Sequence, residues 1–303
     1  MADATKTTVG FVGLGNMGWP MARNLRQAGF DLVIHDAAGE TATRFAEEFG
    51  AMIATGPDAF ADCSIVVTML PNDAIVRHVV LDWEGGVASH LKPGSIVLDM
   101  SSSSPTGIQR LADDAAAHQV TIVDSPVSGG VPRAETGELS LMVGGDDAAV
   151  TAVTPILEVL GARIFRTGPL GTGDAVKALN NFLAAANYVA ATEALRIGER
   201  FGIDPATLFE VINTSTGRSF VTEIVVGGNV VPGTYATGFQ LALLAKDVGI
   251  AAGLASELDM ASDSPALELT NERWRQAAAE APAGTDHSAA HLQWWPQGAA
   301  VSE

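Results

Sequence analysis

The chain has 303 residues, of which 47% are apolar and 17% charged, and it carries a net charge of −18. That length and apolar content suit two packed domains and argue against disorder. The acidity repels phosphate backbones and anionic lipid, and no basic run offsets it, so neither nucleic acid nor a membrane is expected as a partner.

The first half alternates short apolar runs with helical patterns. Val9 to Val12 reads as a strand, Asn16 to Ala28 as a helix stopped by Gly29, and Asp31 to His35 as a second strand. Glu40 to Phe49 is helical, with Gly50 behind it, and Ser64 to Leu70 is a third strand ended by Pro71. Ser95 to Asp99 and Val120 to Asp124 are further strands, separated by a helix over Pro105 to His118. Leu139 to Val143 and Arg163 to Phe165 read as strands around another helix. Such alternation implies crossovers and a mainly parallel sheet covered by helices on both faces.

Near Gly168 the pattern changes. Gly173 to Arg200 is one long helical stretch, rich in Ala and Leu, with apolar residues almost all round it. A helix of that kind is buried on most sides, by its own core or by a second subunit. Pro205 to Asn213, Phe239 to Ser262 and Pro265 to Glu280 are also helical in period, and no convincing strand follows. The expected division is an α/β domain over 1–169 and an all-α domain over 170–303, built on the long helix. Cys63 is the single cysteine, which excludes an intrachain disulfide and suits a reducing compartment as buried filler. Met1 to Thr8 is polar, without a signal-peptide core, and no apolar run reaches the length of a membrane span, so a cytoplasmic protein is expected.

Val9 to Gly18 is a strand running into Gly13-Leu14-Gly15-Asn16-Met17-Gly18 and then a helix. Gly13 permits the tight turn, Gly15 leaves room for a pyrophosphate against the backbone, and Gly18 lets the helix pack close to the strand. The anion sits on the unpaired N–H groups of the helix start. Asp36 follows eighteen positions later, at the end of the second strand, placed to bind ribose hydroxyls. A carboxylate there favours NAD over NADP, whose additional phosphate it repels. These features predict a Rossmann-type dinucleotide domain.

Lysine occurs four times, as Lys6, Lys92, Lys177 and Lys246, and the last two lie in Ala- and Leu-rich helical stretches. An ammonium group is expensive there unless it has a partner or a task. Asn181 follows Lys177 by one helical turn, on the same face. An amine and a carboxamide so spaced can hold one hydroxyl between them. Burial, or a positive ring nearby, lowers a lysine pKa toward proton transfer. A lysine snorkelling from its helix beside a packing asparagine fits the spacing equally well.

Four segments together resemble the 3-hydroxyacid dehydrogenase family, which includes 3-hydroxyisobutyrate dehydrogenase and tartronate semialdehyde reductase and is related to 6-phosphogluconate dehydrogenase. They are the loop from Gly13 extended to Leu25, Asp124 to Gly130 with Ala134 and Gly137, Gly171 to Asn181, and Phe239 to Asp247. The resemblance implies that Ser128, Gly129 and Gly130 bind a substrate carboxylate, in a turn whose glycines make an anion nest. It implies that Lys177 is the catalytic lysine and Asn181 the substrate-orienting asparagine. It also implies that Lys246, with Asp247, lies near substrate and nicotinamide. Leu70, Pro71 and Asn72, and the run Asp99 to Pro105 with Ser102, are similar to segments bordering the nicotinamide half of the cofactor. Ser102 stands where relatives often have Thr.

By that resemblance, the expected reaction is hydride transfer between nicotinamide and the C3 hydroxyl, or aldehyde, of a small 3-hydroxy acid or semialdehyde. Lys177 is the expected general acid/base, in a homodimer or homotetramer assembled through the helical domain. An imine or carbonyl reductase on the same fold is the alternative enzyme, but those using imine substrates commonly lack the lysine that Lys177 matches. A non-catalytic dinucleotide sensor would not need Lys177, Asn181 and Ser128 together. Ser215 to Thr222, with Arg218 and Ser219, are candidates for lining the substrate pocket. His287 and His291, beside Asp286, lack a third metal ligand, and hydride transfer needs no metal, so no metal site is expected. Trp294 and Trp295 fit either a pocket cover or a subunit contact.

Overall fold

The computed structural model describes residues 8–295, which form two compact units divided after Lys177. The first opens with β1 (Thr8–Val12), α1 (Gly18–Gln27), β2 (Asp31–His35), α2 (Gly39–Phe49) and a short β3 (Met52–Ile53). It continues with β4 (Ile65–Thr68), α3 (Asp73–Arg77), α4 (Val87–His90), β5 (Ile96–Asp99), α5 (Pro105–Ala115) and β6 (Thr121–Asp124). Then come β7 (Val127–Ser128), α6 (Gly130–Thr136), β8 (Leu139–Gly144), α7 (Asp147–Leu160) and β9 (Gly161–Gly168).

These nine strands form one sheet in the order β3-β2-β1-β4-β5-β6-β8-β7, with β9 paired to β8. β4 and β5 are buried along their whole length, as their Ile, Val and Leu runs, closed by Thr68 and Asp99, suit central parallel strands. β1 pairs in parallel with β2 on one side and β4 on the other. The chain therefore leaves β1 and β4 in opposite directions, which opens a crevice at their carboxyl ends. Helix starts agree with local chemistry: Ser104 caps α5 ahead of Pro105, and Asp146 caps α7.

The sheet departs from the parallel pattern at β8, which runs antiparallel to β7 and to the end of β6. Ten residues separate Ser128 from Leu139, seven of them in α6. A parallel crossover needs a dozen or more, so the chain returns in the opposite sense. Cys63 is buried, and burial pushes its thiol up to about 11, as filler requires.

The long helix α8 (Thr172–Phe201) crosses the division and begins the second, helical unit. α9 (Pro205–Asn213), a π-helix over Val221–Val230, α10 (Leu241–Glu257), α11 (Pro265–Glu280) and α12 (His291–Trp294) follow. Among the described residues this unit has no strand, and one isolated antiparallel bridge joins Gln240 to Asp286. Its core gathers Tyr188, Phe209, Val226, Leu244, Trp274 and Trp294. Trp294 thus belongs to the core, donating through Nε1 to the Arg273 carbonyl, while Trp295 lies under the Arg196 guanidinium. No helix among the described residues is long and apolar enough to cross a membrane.

The all-round apolar pattern of α8 predicts burial on most sides, yet Leu179, Leu183, Ile197 and Phe201 share one exposed face, Phe201 being 85% exposed. One chain supplies core for the opposite face alone.

Asp286 accepts from Ser288, Thr237 and Gly238, and caps the short turn that carries His287. Tyr188 Oη donates to the Ser288 carbonyl and lies 2.8 Å from His291 Nδ1. Burial holds both imidazoles below their usual range, so they stay neutral while the unfolded chain takes up protons near its own pKa of 6.5. The stability they contribute is complete above that pH and is lost as the pH falls below it. The thermal midpoint is expected to drop between about pH 6.5 and 5, and His291→Gln, which takes up no proton, should shrink the drop in a fluorimetric melt.

Candidate active site

The first candidate element is the glycine loop after β1. Gly13 has φ +100°, in the left-handed region, and a Cβ there would run into the Met69 carbonyl just after β4. A Cβ on Gly18 would collide with the Gly13 carbonyl, so helix and turn approach each other as closely as the motif predicts. A Cβ on Gly15 would meet nothing within 4 Å: Gly15 faces open space at a helix start. That is the arrangement a pyrophosphate needs, so the residues present fit a dinucleotide. Leu14 is buried beneath the loop, while Gly15 and Asn16 are exposed and Met17 is half-buried.

Asp36 follows β2 directly. Its Oδ2 accepts from Leu14 N–H at 2.6 Å and its Oδ1 from Ala38 N–H at 2.8 Å. The loop therefore orients the carboxylate, whose remaining lone pairs suit hydroxyl donors. The structure thus joins Asp36 to the glycine motif.

The loops after β4 and β5 are tied to each other. Leu70 N–H donates to Ser101 Oγ at 2.9 Å. Pro71 is exposed and Ser102 half-buried, while Asn72 Oδ1 caps α3 by accepting from Ile75 N–H. Beneath them lies a chain of buried carboxylates to which the motif reading gave no role. Asp99 accepts from Thr68 Oγ1 at 2.8 Å and from Ser103 Oγ at 2.7 Å. Asp174 accepts from Ser103 N–H at 3.1 Å. Asp124 accepts from Gly171 N–H and Asp174 N–H, each at 2.8 Å. Burial pushes the Asp124 carboxyl up to about 6 against its hydrogen bonds, with Asp99 adding repulsion. A Cβ on Gly173 would meet Met142 O and lie 2.6 Å from Asp124 Oδ2, so glycine is required there. Carboxylates at the ends of two apolar strands, Ile-Val-Leu-Asp99 and Thr-Ile-Val-Asp124, were the available signal.

This network fastens the first turn of α8 to the ends of β4, β5 and β6. Lys177 lies one turn beyond Asp174 and is half-buried. The structure thus brings the start of the Lys177 helix against the Ser102 loop.

Ser128 ends β7, opposite Ser140. Gly129 and Gly130 have φ of +133° and +68°, and the Arg133 stem crosses the space a Gly129 side chain would fill. Asn24 of α1 donates to the Ala134 carbonyl at 2.8 Å, which holds α6 against the helix that follows the glycine loop.

In the helical unit, Asn181 is buried one turn after Lys177 on α8. Its Nδ2 donates to Asp247 Oδ2 at 2.6 Å, and Lys246 Nζ stands 3.1 Å from Asp247 Oδ1. Asn181, Lys246 and Asp247 are therefore one cluster. Of the pocket candidates, Arg218 is paired with Glu223, while Ser219 and Thr222 cap each other at the start of the π-helix. His287 and His291 serve the core network, and no group of three metal-ligating side chains occurs among the described residues.

Residues 8–168 match the family described as the NAD binding domain of 6-phosphogluconate dehydrogenase. Residues 171–293 match the one described as the NAD-binding of NADP-dependent 3-hydroxyisobutyrate dehydrogenase. The 2-(hydroxymethyl)glutarate dehydrogenase of Eubacterium barkeri is 38% identical, over 80% of this chain and 80% of its own length. The mitochondrial 3-hydroxyisobutyrate dehydrogenase of Drosophila melanogaster is 38% identical, over 85% of this chain and 79% of its own. The 3-hydroxyisobutyrate dehydrogenase of Mycobacterium tuberculosis, solved with L-serine, superposes with a TM-score of 0.86 at 32% identity, covering 94% of this chain and 98% of that one. A glycine loop with its oriented carboxylate, and matches of this extent in both halves, place the chain in the 3-hydroxyacid dehydrogenase family of NAD(P)-dependent oxidoreductases, related to 6-phosphogluconate dehydrogenase.

Proposed function

We propose that this enzyme uses NAD to oxidise the C3 hydroxyl of a small 3-hydroxy acid, or runs the reverse reduction of the semialdehyde. The observation that carries the reading is the anchored start of α8. Asp174 accepts from Ser103 N–H in the loop beside Ser102, and Lys177 follows one turn later. A side chain that must meet a reacting hydroxyl at a fixed distance needs such a rigid base.

Ser128 and the N–H groups of Gly129 and Gly130 take the substrate carboxylate in this reading. Asn181 holds the reacting hydroxyl, and Lys177 removes its proton, or returns it in the reductive direction. Lys246 adds positive charge near the acid, which a chain of net charge −18 must concentrate locally. Bound nicotinamide supplies the hydride acceptor. Gly13, Leu14, Gly15, Asn16, Met17 and Gly18 cradle its pyrophosphate, Asp36 takes the ribose hydroxyls, and Leu70, Pro71, Asn72 and Ser102 border the remainder. The proposed labour divides into a cofactor domain over 1–169 and a substrate and oligomerisation domain over 170–303. The exposed apolar face of α8 is the surface expected to meet a second copy, and the single buried cysteine suits a reducing cytoplasm.

Initial rates of NADH or NADPH formation would test the reading. The panel is 3-hydroxyisobutyrate, 2-(hydroxymethyl)glutarate, L-serine, 3-hydroxypropionate, glycerate and 6-phosphogluconate. Turnover of one of the 3-hydroxy acids with NAD supports it. Silence on all of them from a protein that binds NAD contradicts it. Asp36→Ala is expected to narrow the NAD over NADP preference by about tenfold or more, ~1.4 kcal/mol, read as a ratio of kcat/KM values. An unchanged ratio would show that Asp36 does not read the ribose.

A further inference from the structure

Asp247 is 3% exposed and lies on the buried side of α10, among Leu244, Val248 and Ala251. A carboxylate in such a place is costly unless its partners are well arranged. One oxygen accepts from Asn181 Nδ2 at 2.6 Å, and the other forms an ion pair with Lys246 Nζ at 3.1 Å. A carboxylate can only accept, so the Asn181 amide must turn its NH2 toward Asp247 and its carbonyl away. That carbonyl takes one hydrogen bond from Asn180 Nδ2 at 3.1 Å and keeps a second lone pair. The amide then offers one N–H and one carbonyl lone pair in set directions. An amide free to flip would exchange them.

We propose that Asp247 is the positioning residue of this cluster: it locks the flip of the Asn181 amide for turnover and tethers Lys246 for acid binding. The proposal rests on the reading of Asn181 as the group that holds the substrate hydroxyl. It assigns Asp247 two separable effects, one through each oxygen. The bond to Asn181 acts on kcat, and the ion pair with Lys246 acts on affinity for the acid.

A double-mutant cycle tests it, with kcat, KM, thermal midpoint and the calorimetric dissociation constant of the acid recorded for each variant. Asn181→Ala and Asp247→Ala are each expected to lower kcat by about 100-fold, and the double variant to be no worse than Asn181→Ala within about threefold, because both remove one device. Asp247→Asn keeps a carbonyl that can accept from Asn181 but loses the charge. Its kcat is expected within about tenfold of the parent, with weaker binding of the acid. Losses that multiply in the double variant, or an Asp247→Asn enzyme as slow as Asp247→Ala at an unchanged melting point, overturn the proposal. If Asp247→Ala does not fold, the cycle is run with Asp247→Asn and Asn181→Asp. The pair Asn181→Asp with Asp247→Asn restores the hydrogen bond with donor and acceptor exchanged, and should recover the melting point without kcat. Recovery of full kcat would show that amide direction is irrelevant. An Asn181→Ala enzyme of undiminished kcat would instead remove the reading of Asn181 itself, and the proposal with it.

Discussion

Lys177→Ala is expected to lower kcat by about 10²–10⁴-fold, the range that a positioned acid or base supplies, while the dissociation constant for NAD stays within about threefold of the parent. The separation follows from the fold. The glycine loop and Asp36 hold together through Leu14 N–H and the end of β2, with no part played by α8. Lys177 sits instead on a helix anchored by Asp124 and Ser103. Lys177→Arg sharpens the test. A guanidinium keeps the positive charge but cannot give up a proton at working pH. If proton transfer is the task of Lys177, the arginine variant is nearly as slow as the alanine one. If electrostatic attraction alone is the task, arginine restores most of the rate. Single-turnover NADH formation and fluorescence titration with NAD give the two quantities separately.

Asp124→Ala is expected to cost about 2–4 kcal/mol of stability, because it strips the acceptors from two buried N–H groups, Gly171 and Asp174. The same change frees the first turn of α8 from the end of β6, so kcat should fall together with the melting point. Asp124→Asn keeps one acceptor but sets an amide NH2 against the other backbone N–H, and should lie between the two. The wild-type carboxyl carries a pH signature of its own. Its folded pKa, raised to about 6, stands above the unfolded value of 3.8. The folded state thus binds the extra proton between those values, and this group's contribution to stability falls as the pH rises from 3.8 to about 6. The direction is opposite to that of His287 and His291. Comparing the Asp124→Asn and parent melting points across pH 4 to 7 isolates it; a constant difference would mean that Asp124 does not titrate in that window.

The placement of much of the candidate site was legible because its signals are local. Gly13, Gly15 and Gly18 carry their meaning in the absence of side chains, and the strand before them and the helix after them announce their context. Asp36 needed only the end of the next strand. Helical spacing put Lys177 and Asn181 on one face, while their expected roles came from the resemblance, and α8 itself was legible as a long run without proline. The Asp247 bond to Asn181 spans 66 positions and the Asp99 bond to Thr68 spans 31, and no periodicity connects such residues.

Composition and hydrophobic period determined that this protein is an acidic two-part chain, α/β then all-α, and the spacing of Gly13, Gly15 and Gly18 marked a dinucleotide loop near its start. Those properties follow from backbone geometry and from which faces of strands and helices must leave water. Only the tertiary structure decided that β8 reverses, that α8 keeps an apolar face exposed, and that Asp99, Asp124 and Asp174 secure the start of the helix bearing Lys177. Buried carboxylates are stable only beside donors delivered by other segments, so their roles exist only once the chain has folded.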